Sequence, residues 1–344
     1  MQSQIWLTGF EPFGIHKMNP SKQLVEKLLS TTYSSKLDSN PPYSFEDHNV
    51  DVSVKGEILS VDEQGSRYSI GCISGVDAVI HVGLNENAEK IRIEMCAVNE
   101  NNFRIPDNSG RHLVDTLVES SGLPLLHTTI HRPSIENAFS DLEYVEISED
   151  CGRFVCNETY YRTLHHIESK SVQVRGRPLP AVFIHIPPFS HVDENTQLDF
   201  LKRMAAIIVQ KPCMDVVGAV ICNSEGHILA CQRSHAGVMG GDWEFPGGKV
   251  NPDETLHDAL IREIREELNH ELEVGELLGT IRHEYGSMIV NLSFFSCKTQ
   301  KNEFTSNAHE ECRWVSEDEA ISLDWLPADV DFINELAEKG FSNI

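Results

Sequence analysis

Residues 247–269 read GGKVNPDETLHDALIREIREELN, and the C-terminal part of the chain is organised around them. The segment from Thr255 to Leu268 predicts one helix, because apolar residues recur every four positions and form a single stripe. The stripe consists of Leu256, Leu260, Ile264 and Leu268. The turn Asn251-Pro252-Asp253 in front of the segment carries a signal for the start of a helix.

Three carboxylates crowd one face of this predicted helix. Glu263, Glu266 and Glu267 lie three and four residues apart, a spacing that brings helical side chains together. Such carboxylates repel each other unless a cation lies between them. Hard oxygen ligands at this density suit Mg²⁺ or Mn²⁺, which usually also binds substrate phosphates. The alternative is a solvated acidic helix, which is what charge-rich helices usually form.

The spacing of the stretch resembles the Nudix box of the Nudix hydrolases, G-x5-E-x7-R-E-U-x-E-E-x-G-U with U apolar. The matching positions are Gly248, Glu254, Arg262, Glu263, Ile264, Glu266 and Glu267. Asn269 stands where the pattern has Gly, and Asn is the usual second choice for the left-handed residue that closes a helix. His270 stands where the pattern has an apolar residue.

The Nudix resemblance implies an α/β/α sandwich and a metal-assisted attack of water on a diphosphate bond. It assigns metal binding to Gly248, Glu263, Glu266 and Glu267, and a catalytic role to Glu266 as well. The glycines let the backbone approach metal and phosphate closely. Arg262 is expected to pair with Glu254 and hold the box together.

Length and charge limit the classes of function. The 344 residues are consistent with about two domains. A net charge of −25, from 53 acidic and 28 basic residues, repels nucleic-acid backbones and anionic membranes. Polymeric nucleic acid and membranes are therefore unlikely partners, whereas a small phosphorylated substrate held through a metal is compatible with this charge.

Cysteine usage and the N-terminus favour the cytoplasm. The nine cysteines are an odd number without a pairing pattern, which fits a reducing compartment better than a disulfide framework. The N-terminus MQSQIWLTGFEPFG lacks the basic and apolar regions of a signal peptide. No apolar run in the sequence is long enough to span a membrane. The sequence leaves the oligomeric state open, including a homo-oligomer.

The N-terminal part alternates apolar strands with helical patterns, which predicts an α/β sandwich around a mostly parallel sheet. The predicted strands are Ile5–Thr8, Ala78–Val82 and Ala181–Ile186. Chemistry in such folds lies at the C-terminal ends of strands. Near such ends lie Cys156, His185 and Glu94, which could act as nucleophile, base and orienting carboxylate. On spacing alone, the nine cysteines and sixteen histidines favour a chance trio with a merely buried cysteine.

Several motifs in this part resemble pyroglutamyl peptidase I, the pyrrolidone-carboxylate cysteine peptidase family. In chain order they are GFEPFG with the following NPS, HVGL, IEMCAVN, RIPDN, the segment around Cys156 and FIHIP, and the likeness runs to about Val209. The resemblance implies removal of an N-terminal pyroglutamate by Glu94, Cys156 and His185. It also implies that Arg104 steadies the oxyanion and that Phe10 and Phe13 sandwich the lactam ring.

The sequence departs from this family at the edge of the implied pocket. The departures are Asn85-Glu86-Asn87 after HVGL, Met95 after Glu94, Ile15 after Gly14, and Cys151 near the nucleophile. A non-catalytic binding domain is therefore kept as an alternative to an active peptidase.

The two predicted domains are joined by a short segment. We assign residues 1–210 to the pyroglutamyl-peptidase-like domain, 211–214 to a linker broken by Pro212, and 215–344 to the Nudix domain. In the second domain, strands are predicted over 215–222, 227–232, 277–284, 288–296 and 311–315, with a last helix near Ala328. Glu310 or Glu311, in a loop before Trp314, is a further candidate carboxylate.

Substrate preference depends on two residues whose roles remain open. Arg233 either clamps a phosphate or is a solvated surface residue. WEFPGGK resembles the branch with 8-oxo-dGTP diphosphatases and CTP pyrophosphohydrolases, and this likeness places Asp329 at the base pocket. An ionised Asp329 would accept a hydrogen bond from the amine of cytosine. The alternative is that Asp329 only caps the final helix.

These observations predict a bifunctional hydrolase. The Nudix domain would convert cytosine-type or oxidised nucleoside triphosphates, including 8-oxo-dGTP, to monophosphate and pyrophosphate with Mg²⁺ or Mn²⁺. The first domain would act on pyroglutamyl peptides. The alternative is an ADP-ribose or nucleoside-diphosphate-sugar hydrolase joined to a non-catalytic binding domain.

Overall fold

The computed structural model describes residues 2–15, 17–37, 42–45, 49–236, 239–251, 253–299, 304 and 306–341. The chain divides into two compact units, one of residues 1–39 and 45–211 and one of residues 40–44 and 212–344. Both units mix helices and strands, so the predicted two-domain α/β class is confirmed. No described helix is long and apolar enough to cross a membrane.

The part of the chain up to residue 211 forms twelve strands and five α-helices among its described residues. In order they are β1 (Gln2–Phe10), α1 (Pro20–Leu28), β2 (Thr32–Lys36), β3 (Tyr43–Phe45), β4 (Asn49–Leu59), α2 (Glu63–Tyr68), β5 (Ala78–Leu84), β6 (Ile91–Glu94), β7 (Cys96–Val98), β8 (Leu125–His127), α3 (Arg132–Ala138), β9 (Val145–Ser148), α4 (Val155–Ser169), β10 (Gln173–Val174), β11 (Arg177–Pro178), β12 (Ala181–Ile186) and α5 (Glu194–Ile208).

A seven-stranded sheet in the order β2-β4-β1-β5-β12-β6-β9 forms the centre of the first unit. The pairs β4–β1, β1–β5, β5–β12 and β6–β9 are parallel, whereas β2–β4 and β12–β6 are antiparallel. The predicted mostly parallel sheet is therefore present. Strand β12 lies between β5 and β6, so residues that are distant in sequence, such as Phe183 and Glu94, become neighbours in the sheet.

Alternating side chains of the central strands pack on opposite faces of this sheet, as the period-two geometry of a strand requires. On one face Val182, Ile184 and Ile186 pack with helices α1, α3 and α5. On the other face Ala181 and Phe183 pack with α4. Strands buried on both faces read as continuous apolar runs, which explains why β5 and β12 were recognisable in the sequence.

The second unit contains the remaining elements in addition to residues 40–44. In order they are β13 (Pro212–Ile221), β14 (Ile228–Arg233), β15 (Trp243–Glu244), β16 (Gly247–Lys249), α6 (Leu256–Leu268), β17 (Glu273–Tyr285), β18 (Met288–Lys298), β19 (His309–Val315), α7 (Glu317–Ile321) and α8 (Pro327–Lys339).

Two sheets lie between helices α6 and α8 in this unit. One sheet has the order β16-β13-β18-β17, and the other has the order β15-β14-β19. Leu260, Ile264 and Leu268 of α6 are fully buried in one apolar cluster, and Phe332, Ile333 and Leu336 of α8 belong to the other. The apolar stripe predicted for α6 is therefore the face that packs on the sheet.

Two boundaries differ from the expectation. Pro212, Cys213 and Met214 were interpreted as a linker, but they are the first residues of β13 and are buried. Proline is compatible with this position because it is the first residue of the strand. The cap of α6 is Thr255, whose side chain accepts a hydrogen bond from the Asp258 amide, rather than the turn further upstream.

Candidate active sites

Glu94, Cys156 and His185 come together in the first unit. Glu94 is the last residue of β6, His185 lies on the adjacent strand β12, and Cys156 is the second residue of α4. The Nδ1 atom of His185 lies 2.8 Å from Oε1 of Glu94. The side chain of Glu94 has no solvent exposure, and that of His185 is 8% exposed. This order, thiol to imidazole to buried carboxylate, is that of a nucleophile, a base and an orienting group.

The electrostatics of the trio favour a charged imidazole. Burial lowers the pKa of His185, but its hydrogen bonds with Cys156 and Glu94 outweigh burial and raise that pKa to about 9. Glu94 also has a second oxygen, Oε2, that is buried without a hydrogen-bond partner. At neutral pH the ring therefore holds both protons, and Glu94 stabilises the imidazolium that forms when the thiol of Cys156 gives up its proton.

A cavity of about 680 Å³ opens beside Cys156 and His185. Phe10, Phe13 and Arg104, the three residues expected to bind substrate, all line it. Phe10 is 3% exposed and packs on Phe183, with ring centroids 6.1 Å apart. Phe13 lies against Phe154, with ring centroids 5.9 Å apart. Both aromatic rings therefore pack against other rings, whereas Arg104 is an exposed residue that lines the same cavity.

Other residues of the cavity were not assigned from the sequence. Asn19 and Arg92 line it, and so do Asn85, Glu86 and Cys151 from the segments that depart from the family pattern. Arg92 donates a hydrogen bond to Ser148, 2.9 Å away. Burial raises the pKa of Cys151 well above the ordinary value for a thiol, so this cysteine remains protonated and is not a second nucleophile.

Cys156 lies in the N-terminal turn of α4, and the two residues after it, Asn157 and Glu158, hold this turn in place through hydrogen bonds. Asn157 accepts a hydrogen bond from the Val98 amide and donates to the carbonyls of Val98 and Glu100. Glu158 is buried and binds Arg111 at 3.0 Å and Arg162 at 2.8 Å. The N-cap Phe154 makes no side-chain hydrogen bond to the helix, so first-turn N–H groups have no side-chain cap.

The second candidate site lies where α6 meets the glycine strand β16. A Cβ atom at Gly248 would lie 2.6 Å from both carboxylate oxygens of Glu263, so only glycine allows this approach. The Gly247 amide donates to Oε2 of Glu267 at 3.3 Å. Gly247 has a φ of +156°, and a side chain there would collide with the Val217 carbonyl. Two of the three predicted carboxylates thus flank the two glycines.

Arg262 holds this arrangement together. Its guanidinium donates twice to Glu254, at 3.0 and 2.6 Å, and also to the Lys249 carbonyl at 2.9 Å. It lies 2.8 Å from Oε1 of Glu263. The hydrogen bonds that Arg262 donates to Glu254 are the main reason why the pKa of Arg262 is raised, and the same contact lowers the pKa of Glu254. A bidentate arginine of this kind orients carboxylates.

Glu244 and His309 complete the acidic site, and neither was assigned a role from the sequence. Nε2 of His309 lies 3.2 Å from Oε1 of Glu244 and 3.9 Å from Oε2 of Glu267. Burial is the main cause that raises the pKa of Glu267 to about 7; the charges of Glu244 and Glu263 act in the same direction, and His309 opposes them. Glu244 directly precedes the sequence Phe-Pro-Gly-Gly, and this position was the sequence feature that could have identified it as a site residue.

Other predicted residues of this site have different surroundings. The side chain of Glu266 is 61% exposed and contacts Arg262 at 3.4 Å. Arg233 is 39% exposed and pairs with Glu244 at 3.0 Å, so it is not merely solvated. Glu310 and Glu311 were expected in a loop, but they belong to strand β19, and the residue of that strand that faces Glu267 is His309.

Asp329 does not cap the last helix. The N-cap of α8 is Leu326, which makes no side-chain hydrogen bond. Asp329 is 3% exposed, and its Oδ1 accepts a hydrogen bond from the Phe245 amide at 3.3 Å. Burial raises the pKa of Asp329 to about 8. The alternative of a simple cap is therefore wrong, and a buried acid lies beside the segment that precedes the two glycines.

Comparisons with known proteins match both parts of the chain. The family model described as pyroglutamyl peptidase matches residues 3–199, and the NUDIX domain model matches residues 214–336. The chain belongs to both families. A CTP pyrophosphohydrolase of Escherichia coli (strain K12) is 37% identical over 117 residues, which are 34% of this chain and 86% of that protein.

Two further relatives cover the same two regions. An 8-oxo-dGTP diphosphatase of Proteus vulgaris is 37% identical over 98 residues, 28% of this chain and 88% of that protein. A pyrrolidone-carboxylate peptidase of Vibrio campbellii is 29% identical over 220 residues, 60% of this chain and 91% of that protein. The chain thus combines a pyroglutamyl peptidase domain with a Nudix hydrolase domain.

The donors of the Nudix domain fit the divalent metal that Nudix hydrolases use. Glu263 and Glu267 present carboxylate oxygens beside the Gly247–Lys249 strand, where a Cβ atom would fill the gap next to Glu263. Oxygen donors of this kind suit a hard divalent cation. Burial is the main cause of the raised pKa of Glu267, and the neighbouring carboxylates of this set add to it because like charges resist ionising together.

The two departures from the Nudix box are accommodated by the fold. Asn269 has a φ of +47° and a ψ of +43°, the left-handed conformation that ends a helix. His270 is 9% exposed, and its ring packs against Phe304 with centroids 4.7 Å apart. The histidine therefore fills the buried position that the pattern reserves for an apolar residue.

Proposed function

We propose that this chain is a bifunctional hydrolase that removes N-terminal pyroglutamate from peptides and cleaves nucleoside triphosphates to monophosphate and pyrophosphate. The first activity rests on the hydrogen bond between His185 and the buried Glu94 beside Cys156. The second rests on Glu263 and Glu267 flanking Gly247 and Gly248. Each activity has its own test.

In the peptidase domain, the charged His185 ring holds the proton that the Cys156 thiol has given up, and the thiolate attacks the carbonyl carbon of the pyroglutamyl residue. The C–N bond breaks, His185 returns the proton to the departing amine, and the acyl group remains on sulfur. Water then attacks the thioester with His185 as base and frees pyroglutamate and the thiol. First-turn amides of α4 and Arg104 are available to the oxyanion. Release of a fluorophore from a pyroglutamyl amide, but not from a prolyl amide, is the expected assay result.

In the Nudix domain, Glu263 and Glu267 would hold Mg²⁺ or Mn²⁺, with Glu266 as a more exposed additional carboxylate. When bound, the metal neutralises phosphate charge and activates water. Arg262 keeps Glu263 and Glu254 in place, and the glycines let phosphate oxygens approach the backbone. Arg233 forms an ion pair with Glu244. When substrate binds, the guanidinium of Arg233 can leave this carboxylate and bind a phosphate oxygen instead.

Mg²⁺ binding should weaken as the pH falls through neutrality. Glu267 has a pKa of about 7 because of burial and neighbouring carboxylates, and only its ionised form binds a cation. One proton competes with each metal ion, so the apparent affinity for Mg²⁺ should be about tenfold lower near pH ~6 than near pH ~8. Magnesium titrations of nucleotide hydrolysis at the two pH values measure this ratio. An equal affinity at both values would contradict the assignment of Glu267.

Base preference should depend on the protonation of Asp329. With a pKa of about 8, its carboxyl group is protonated at neutral pH, and it can then both donate and accept hydrogen bonds. Above that pH it only accepts, which suits the exocyclic amine of cytosine. We expect the ratio of kcat/KM for 8-oxo-dGTP to kcat/KM for CTP to fall about tenfold as the pH rises through 8. A tenfold change corresponds to the free energy of about one hydrogen bond. Asp329→Asn should abolish this pH dependence of the ratio, and a ratio that titrates equally in the variant would refute the role.

A further inference from the structure

A cluster of soft metal ligands lies next to the Nudix site and takes no part in the chemistry described above. Cys231 on β14 stands directly opposite Cys312 on the antiparallel strand β19. One potential ligand atom of each cysteine and one of His309 all lie within 4.8 Å of one another. Among the described residues only one other group meets this criterion, and it belongs to the peptidase site.

The environment of the cluster is that of a built site rather than of exposed surface groups. Cys231 has no solvent exposure, and the side chain of His309 is 3% exposed. Cys312 is half-buried, which leaves a route for an ion to enter from solvent. The strands also hold the two sulfur atoms at a fixed register, because neighbouring residues pair along β14 and β19 on both sides.

His309 supplies a second and independent observation. Its Nδ1 atom is buried and makes no hydrogen bond of normal geometry, while the His309 ring interacts electrostatically with the side chain of Cys312. Its other nitrogen, Nε2, contacts Oε1 of Glu244 at 3.2 Å. A histidine that binds a metal through one nitrogen typically donates its other N–H to a carboxylate, which fixes the ring orientation. His309 has this carboxylate, and the nitrogen that would bind the metal is the buried Nδ1.

We propose that Cys231, Cys312 and Nδ1 of His309 bind one Zn²⁺ ion. Two sulfurs and one imidazole nitrogen are the ligand types that zinc prefers, and they do not suit Mg²⁺. Each thiol loses its proton to solvent when the ion binds, and the imidazole binds in its neutral form. Three protein ligands leave the fourth position of a tetrahedral ion to water or another small ligand.

The zinc site would be connected to the hydrolytic site through a single side chain. Zinc on Nδ1 leaves the remaining imidazole proton on Nε2, which faces Glu244 and, at 3.9 Å, Glu267. The ring would then be held in one orientation against the carboxylates of the Nudix domain. Zinc and magnesium would thus occupy neighbouring positions with ligands of different chemistry, one set soft and one set hard.

The test uses the full-length, reduced chain incubated with Zn²⁺ or Co²⁺ and freed of excess metal by gel filtration. We expect one zinc per chain by elemental analysis and, with cobalt, a thiolate-to-metal charge-transfer band in the near ultraviolet. Cys312→Ser should lose the band and weaken zinc binding by more than about 100-fold, beyond the effect of losing an orienting partner. Glu244→Gln should weaken zinc binding about 10–100-fold.

Cys222→Ser is the matched control, because Cys222 is a half-buried cysteine of the same unit outside the cluster. It should keep both the zinc and the band. The cobalt band is measured first on the unmutated protein, so the test remains valid even if a variant folds poorly. The proposal is overturned by an absent thiolate band, by zinc retained in Cys312→Ser, or by zinc that is lost only in Glu267→Gln.

Discussion

Replacing Glu267 by Gln should slow the Mg²⁺-dependent hydrolysis of nucleoside triphosphates by about 10³-fold. The substitution keeps the shape of the side chain. The side-chain oxygen of Gln can still accept the hydrogen bond from the backbone amide of Gly247. It removes the ionisable carboxyl group, whose charge burial and the neighbouring Glu244 and Glu263 disfavour unless a cation is bound. We therefore expect the loss to appear in both kcat and the magnesium requirement, measured as pyrophosphate release over a range of Mg²⁺ concentrations.

Glu271→Gln is the control for this experiment. Glu271 lies just beyond the end of α6, and its side chain is 87% exposed. It should hydrolyse nucleotides at the unmutated rate, because a solvated carboxylate outside the cluster contributes little to the local field. Equal rates for Glu267→Gln and Glu271→Gln would remove the acidic cluster from the mechanism.

Replacing Cys156 by Ser should reduce the cleavage of a pyroglutamyl amide by more than about 10³-fold. Serine has nearly the same shape, but its hydroxyl does not ionise in the way that a thiol does beside a charged imidazole. The elevated pKa of His185 depends on this partner, so it should fall in the variant. Steady-state rates give the activity, and the NMR titration of the His185 ring gives its pKa.

The two domains provide controls for each other. Cys156→Ser should leave nucleotide hydrolysis unchanged, and Glu267→Gln should leave amide cleavage unchanged. Cys72→Ser, a half-buried cysteine that does not line the cavity, should retain amide cleavage. A Cys156→Ser protein that cleaves the amide as fast as the unmutated chain would reduce the first domain to a binding module.

Local patterns in the sequence were sufficient for elements whose signals lie within the element itself. Asn19 is a residue type that favours a helix start, and its side chain accepts a hydrogen bond from the Ser21 amide at 3.0 Å in front of α1. The stripe of α6 predicts its packing face because Leu260, Ile264 and Leu268 recur with the helical period. The continuous apolar run of β12 likewise predicts a strand that is buried on both faces.

Features that depend on contacts between distant residues could not be predicted in this way. Strand β3 pairs with β13, more than 160 residues later, and nothing in its three residues specifies that partner. His309 reaches Glu267 only because β19 pairs with β14 and a register shift follows Gln232. Asp329 was considered as a helix cap because it lies near the start of the final helix. Its carboxyl group instead accepts a hydrogen bond from the amide of Phe245, 84 residues earlier in the chain.

The central claim is that acidic side chains of α6 gather a divalent cation so that water can split a phosphoanhydride. The most direct measurement follows a panel of canonical and oxidised triphosphates by phosphorus NMR, with Mg²⁺ and either the unmutated chain or Glu267→Gln. We predict equal amounts of nucleoside monophosphate and pyrophosphate from the unmutated chain and almost none from the variant. No turnover with Mg²⁺ in the unmutated chain, or equal turnover by both proteins, would contradict the claim.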